Sequence, residues 1–305
     1  MQAVTLTTGR RVFKNGFIPT PRSRLLSLPS RVRKAGPPPP PQVCNSSGVT
    51  MQMDYNDTYG DCTDACVGNI LDVVAFILGF TGSTIPAANV LTWAKAHGFQ
   101  NGANIPDVLT ALQTDPMVDA NGKGRIIGPY GGVDYTDLNA VYSALSQDYA
   151  LDLGVNGDWY QGFVGNGPVS VAPIQNTPIN AERQLNHSIP AFDYGTAEFL
   201  ATMYSQFYNC AIDLGPLASQ PQIPCIGDET WAVLCIVPVV SWQNTTGESW
   251  AIQSFPPPGT VPTPTPPTPN PNPNPHPCRQ AMRELVGLGR YVGGMIERFH
   301  KSLED

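Results

Sequence analysis

Charge is scarce in this chain and histidine scarcer: Asp, Glu, Lys and Arg make up 13% of 305 residues, and there are four histidines. Seven cysteines are too few for a disulfide scaffold at this length, and their odd number leaves at least one thiol unpaired within the chain. Long apolar runs are missing as well. The longest, from Ile70 to Phe80, is interrupted by Asp72 and falls well short of the roughly 20 residues a membrane-spanning helix needs. No apolar stretch follows the basic N-terminal residues, so no secretory signal is expected, and the compartment stays open. The first 53 residues contain no Asp or Glu at all, against eight Arg or Lys. Residues 54–278 reverse the balance, with four basic and 20 acidic residues, and the last 27 are near neutral with five against four. A central region that acidic excludes a nucleic-acid-binding core, because phosphate contacts need clustered Lys and Arg.

What the chain has in quantity is glycine and proline, 29 and 32 residues, the signature of a loop-rich fold with at least one unstructured stretch. Residues 1–43 carry scattered apolar positions without sustained period and end in Pro37 to Pro41. They read as a basic extended or disordered arm, or as a pro-region or clamp lying across the acidic domain. Residues 44–255 form the globular domain. Its first half is helical in pattern: after Gly60-Asp61, apolar residues recur at Val67, Ile70, Leu71, Val74, Ile77 and Leu78, the stripe of a core helix with Asp61 as N-cap. Shorter helices are expected over Ile85 to His97, Ile105 to Leu112 and Asp137 to Leu145. The second half turns to strands at Val169 to Ala172, Ser188 to Phe192 and Trp231 to Val240, rich in β-branched and aromatic residues. Helices first and strands later predict an α+β domain with two facing halves.

Residues 256–277 contain 12 prolines in 22 positions. As polyproline II they form a semi-rigid tether of roughly 70 Å. Beyond it, residues 278–305 place Ala281, Leu285, Leu288, Val292, Met295, Phe299 and Leu303 at spacings of four and three. That is an amphipathic helix in need of a partner surface, whether another protein or copies of itself. Four glycines within it make it weak alone.

The chemistry centres on Asn56-Asp57-Thr58-Tyr59-Gly60-Asp61-Cys62. A thiol is a good nucleophile only as thiolate, and the first turn of a helix favours that form through its dipole and free N–H groups. Gly60 permits the entry turn and Cys62 falls on that first turn, while Cys66, one turn on, faces the core. A structural helix with two buried thiols fits the same residues. A base is then needed. His276 and His300 lie in the tether and the terminal helix, and His97 sits before Gly98 at a helix end, the usual place for a dipole partner. His187, at the start of a strand-like run, is left.

Three strings in order now carry a resemblance: the cysteine helix, then Gly167-Pro168-Val169-Ser170-Val171-Ala172, then Leu185-Asn186-His187-Ser188-Ile189-Pro190-Ala191-Phe192-Asp193-Tyr194-Gly195. Over residues 54–212 this order resembles that of the papain-like cysteine peptidases, whose GPVSVA segment precedes a histidine segment of the form LNHAVxxVGYG. The resemblance implies a two-lobed fold with Cys62 as nucleophile and His187 as general base. It implies Asn56, six residues before Cys62, as oxyanion donor in the place of the family's glutamine. It implies Asn209 as orienting asparagine, with Asn244 second. The chain departs from the family at Thr63, where tryptophan is usual, at Asn56, one methylene short, and around Asn209, which lacks Ser-Trp-Gly.

The expected function is thiol hydrolysis of peptide or isopeptide bonds through an acyl-enzyme on Cys62. The alternatives are a catalytically weak or dead module serving as a structural or attachment protein, and another Cys–His acyl transferase on the same fold. No G-x-S-x-G, P-loop or GxGxxG string occurs, and Cys62 with Cys66 has no matching second pair. Neither metal nor cofactor is therefore expected. The expected partners are a peptide or protein substrate, and a docking surface for the terminal helix.

Overall fold

The structure, a computed structural model, describes residues 15–32, 37–179 and 184–260. The beginning of the arm, most of the proline tether and the apolar seam of 278–305 lie outside the described residues. Among the described residues no helix is long and apolar enough to cross a membrane.

The helical half is built on α2 (Cys62–Ile77), after a short α1 (Arg22–Leu25) in the arm; α3 (Ala87–His97) and α4 (Ile105–Leu112) follow. Residues Cys62 to Ala75 of α2 are all buried, so this helix is enclosed on every side rather than amphipathic. Its fully buried Val67, Leu71, Val73 and Val74 contribute about 1.5–3 kcal/mol each relative to exposure. Gly98, at φ 76°, ends α3 in the left-handed conformation that glycine adopts without steric cost.

The remaining elements are β1 (Val43–Cys44), β2 (Met117–Val118), β3 (Gly124–Arg125), β4 (Tyr130–Gly132), α5 (Leu138–Gln147), β5 (Leu151–Val155), α6 (Gly157–Phe163), β6 (Val169–Val171), β7 (His187–Thr196), α7 (Ala197–Tyr208), β8 (Pro224–Thr230), β9 (Val233–Pro238), α8 (Val239–Thr245) and β10 (Thr246–Ile252). Seven strands run in the order β4-β10-β5-β7-β8-β9-β6, with β1 added on β7 and β2–β3 a separate hairpin. The pairing is antiparallel except for β6 against β9.

Alternation across the sheet sorts two cores. Leu151, Leu153 and Val155 of β5 join Cys235 and Val237 of β9 in one, with Val141 and Leu145 of α5 and Trp242 of α8. Leu234 and Ile236 of β9 turn to the other face, into the core that holds α2, α3 and α4. Asp152 of β5 also points to that side, where its Oδ1 accepts from Cys66 Sγ. The result is the expected α+β, two-halved domain, with α2 packed along β7 and the start of each element at the same end.

The arm departs from an extended or disordered reading. Phe17 and Thr20 are buried, Phe17 forms a parallel bridge with Ala103, and Ser30 forms one with Gly132. Arg24 pairs with Asp107, and Arg31 with Asp148. Arg31 also donates to Gln147 Oε1 at 2.9 Å. Arm residues 15–32 are thus laid over both halves, as the clamp alternative expects. Backbone hydrogen bonds and arginine–carboxylate pairs hold them there, which is why no hydrophobic period announced it.

Candidate active site

Cys62 opens α2 and His187 opens β7. Both line one narrow cavity with Asn56, Cys66, Ser188, Glu229, Thr230 and Trp231. Its open space is about 10 Å³, room for one water at most. The two side chains do not hydrogen-bond to each other among the described residues. The backbone of Ser188 and that of Gly16 instead lie near enough to the Cys62 thiol to favour its charged form. Gly16 belongs to the arm, so a segment of the chain itself lies over the thiol.

Burial governs the electrostatics. The sequence leads one to expect a thiol activated by the helix N-terminus; burial instead pushes Cys62 up to about 12, the contacts with Ser188 and Gly16 offsetting only part of it. Asp61 and Asp64 add to the rise. Burial holds His187 down to about 3. Burial thus favours the neutral thiol and the neutral imidazole in the folded protein, because both charged forms have lost their water. Asp61 takes the N-cap position, but its side chain caps no backbone N–H.

The imidazole is fixed by two neighbours. His187 Nε2 lies 2.9 Å from Thr230 Oγ1, and the ring stacks on the indole of Trp231 with centroids 4.3 Å apart and planes 18° from parallel. Nδ1 has no hydrogen-bond partner and is left for a reacting group. Asn209, expected to orient this ring, does not: it caps the C-terminus of α7 in the left-handed conformation, φ 49° and ψ 46°, exposed to solvent. Asn conforms to that backbone more readily than most residues, which accounts for it there. Asn244 is engaged elsewhere, donating to Gln175 O at 2.7 Å.

Thr230 and Trp231 reach His187 through a strained turn. Trp231 and Ala232, at φ 52° and 62°, occupy the tight link between β8 and β9 that Asn-Gly usually fills. Two such non-glycine residues cost about 1–3 kcal/mol each. The Ala232 N–H donates to Glu229 Oε1 across the turn. A signal for this pair was present: Glu229-Thr230-Trp231-Ala232 sets a hydroxyl and an indole side by side in the run before β9.

Asn56 stands in the same cavity, 4% exposed, its Oδ1 without a partner. Cys66 is buried, as expected of a core-facing residue. No disulfide forms among the described residues: Cys44, Cys62, Cys66, Cys210, Cys225 and Cys235 are all free. His97 fills the structural role expected, with Nδ1 3.0 Å from Trp93 O and Nε2 3.2 Å from Asp115 Oδ2.

No protein-family model matches the chain, and no curated protein matches its sequence. Solved structures do match its fold. Xylellain, a cysteine protease from Xylella fastidiosa, superposes with a TM-score of 0.52 at 13% identity, over 79% of this chain and 96% of that one. Digestive procathepsin L 3 from the larval midgut of Tenebrio molitor gives 0.51 at 11%, over 74% and 73%. The cysteine protease and lectin-like domains of Cwp84 from Clostridium difficile give 0.50 at 10%, over 81% and 56%. The fold is that of the papain-like cysteine proteases. At these identities the likeness is one of architecture, and what the site does has to be argued from its residues.

Proposed function

We propose that the protein is a cysteine peptidase, with Cys62 as nucleophile and His187 as general base, folded here in a closed state. The observation that supports the reading is that Cys62 and His187 line one cavity, with His187 Nε2 held by Thr230, the ring held by Trp231 and Nδ1 without a partner. In this reading the imidazole takes the thiol proton once the arm leaves and water returns. The thiolate adds to a peptide carbonyl, and the amine leaves with the proton from His187. Water then hydrolyses the thioester. Asn56 Nδ2 and the Cys62 backbone N–H are the oxyanion donors, and Thr230 takes the orienting role that Asn209 does not fill.

A second reading, a papain-like module without catalysis, is favoured by one observation: both partners are 1% exposed and both are neutral as folded. Incubating the full chain with an epoxysuccinyl probe, before and after limited proteolysis of the arm, separates the two. A peptidase gains labelling at Cys62 and hydrolysis of casein peptides together, and Cys62→Ser removes both. A module that gains neither on losing the arm is not a peptidase.

A further inference from the structure

The arm residues over Cys62 fit a slot that has room for a bare backbone alone. A Cβ built on Gly16 would lie 1.6 Å from Gly60 O and 2.1 Å from Gly60 C. Those are backbone atoms that cannot step aside. On the other side, a Cβ on Gly102 would come within 2.7 Å of Gly16 O, and Gly102 sits at φ 129°, where side chains are strained in any case. Gly60 closes the slot with its own Cβ position 3.2 Å from Gly16 Cα. Two wall glycines and one occupant glycine therefore meet at the entry turn of α2, two residues before Cys62.

The next residue is treated in the opposite way. Phe17 is 5% exposed, and its ring lies where a Cβ on Gly154 would be, 2.6 Å from Cζ, with the Glu248 methylene alongside. Absence of a side chain at Gly154 is what makes room for the ring. The backbone around these two residues is held from both halves of the domain. Phe17 N–H donates to Asn186 O at 3.3 Å, Ala103 N–H to Gly16 O at 3.0 Å, and Ile18 N–H to Ala103 O at 2.9 Å. Thr20 N–H donates to Glu248 Oε1 at 3.0 Å. Backbone bonds give affinity without sequence preference; the slot and the ring pocket give the preference.

We infer that the cleft recognises peptide segments with a glycine over Cys62 followed by a large aromatic residue, the arm's own Gly16-Phe17 being the cis copy of that ligand. The inference deepens the peptidase reading and rests on it for the chemistry, while the recognition itself stands on the shape of the cleft. Any side chain at the first position collides with the Gly60 carbonyl, and a small one at the second leaves the Gly154 pocket empty.

The test uses the full chain carrying Gly16→Val, whose side chain cannot share the slot with Gly60 O, and a second full chain carrying Phe17→Ala in case the first folds poorly. A dye-labelled hexapeptide with the sequence Asn-Gly-Phe-Ile-Pro-Thr reports binding by fluorescence anisotropy. Unlabelled versions with Ala for Gly, or Ala for Phe, compete against it. The expected result is binding to both arm variants and not to the unaltered chain, with each Ala peptide weaker by at least about tenfold. Equal competition by the Ala-for-Gly peptide overturns the inference, as does tight peptide binding to the unaltered chain. Iodoacetamide reactivity of Cys62 in the same variants is read separately. A Cys62 that stays inert while the peptides discriminate defeats the peptidase reading and leaves the recognition standing.

Discussion

The imidazole of His187 lies flat on the indole of Trp231, 18° from parallel at 4.3 Å, and this contact together with Thr230 fixes the ring. Thr230 Oγ1 takes Nε2, so Nδ1 is the ring nitrogen left without a partner. Thr230→Val keeps the shape and removes the oxygen. In an arm-released chain we expect kcat to fall by up to about a hundredfold with KM nearly unchanged, because a ring free to rotate is misaligned for proton transfer. Trp231→Ala should lower kcat as well and broaden its pH profile. Peptide hydrolysis by both variants, with KM and kcat separated, is the measurement.

Thiol reactivity should follow burial in the closed chain. Cys44 and Cys210 are partly exposed, and Cys62, Cys66, Cys225 and Cys235 are buried. The expected order of alkylation in the unaltered protein puts Cys210 ahead of Cys62. Burial, with Asp193 beside it, pushes Cys44 up to about 12, which keeps that thiol slow despite its exposure. Displacing the arm should carry Cys62 past them all and leave Cys66 inert, held against Asp152. Mapping of modified cysteines by mass spectrometry over time reads both orders.

Stability should fall as pH rises from about 5 to 8.5. Burial raises Asp54 to about 8, Asp72 to about 7, Asp152 to about 7 and Glu229 to about 8. The folded protein holds these protons through the range in which the unfolded chain has already released them. The stability they supply is complete near the unfolded pKa, about 4, and is lost progressively up to the folded values. His187 acts in the other direction: kept neutral until about 3 when folded, it favours unfolding below its usual value of about 6.5. Four carboxyl groups against one imidazole leave acid stability the winner. Thermal midpoints several degrees higher at pH 5 than at pH 8.5 are expected.

Asp193 ties β7 to the residues after β1. It accepts from Asn45 N at 2.6 Å, Ser46 N at 3.0 Å and Tyr204 Oη at 2.6 Å. Asp193→Ala strands these donors in a fully buried place and should cost about 3 kcal/mol or more. Urea unfolding of the variant checks it.

Much of this was written in short strings. The entry to α2 is marked by Gly60, by Cys62 at the first turn and by an apolar run, so the helix and its cysteine could be placed together. Asn186-His187 with the β-branched and aromatic residues after it marked β7. β5 was missed although it alternates: it reads Leu151-Asp152-Leu153-Gly154-Val155 and is buried throughout, so its alternation separates two cores rather than core from water. The run from Trp231 to Val240 reads as one strand in the sequence, but Trp231 and Ala232 form the turn and α8 begins at Val239. The group that orients His187 was missed because a left-handed Trp-Ala turn contradicts local propensity. A strained turn of that kind persists where the surrounding structure holds it. For the arm the sequence left both a disordered segment and a clamp open, since its anchors are backbone groups, two arginine pairs and the single ring of Phe17, which set no period.

The central claim is that Cys62 and His187 are a reacting pair shielded by the arm, and the pH dependence of Cys62 alkylation in the full-length Gly16→Val chain tests it most directly. The account predicts fast labelling with a midpoint well below the ordinary thiol value of about 8.5, moved back toward that value by His187→Ala. Labelling of Cys62 that follows an ordinary thiol titration, unchanged by His187→Ala, would contradict it.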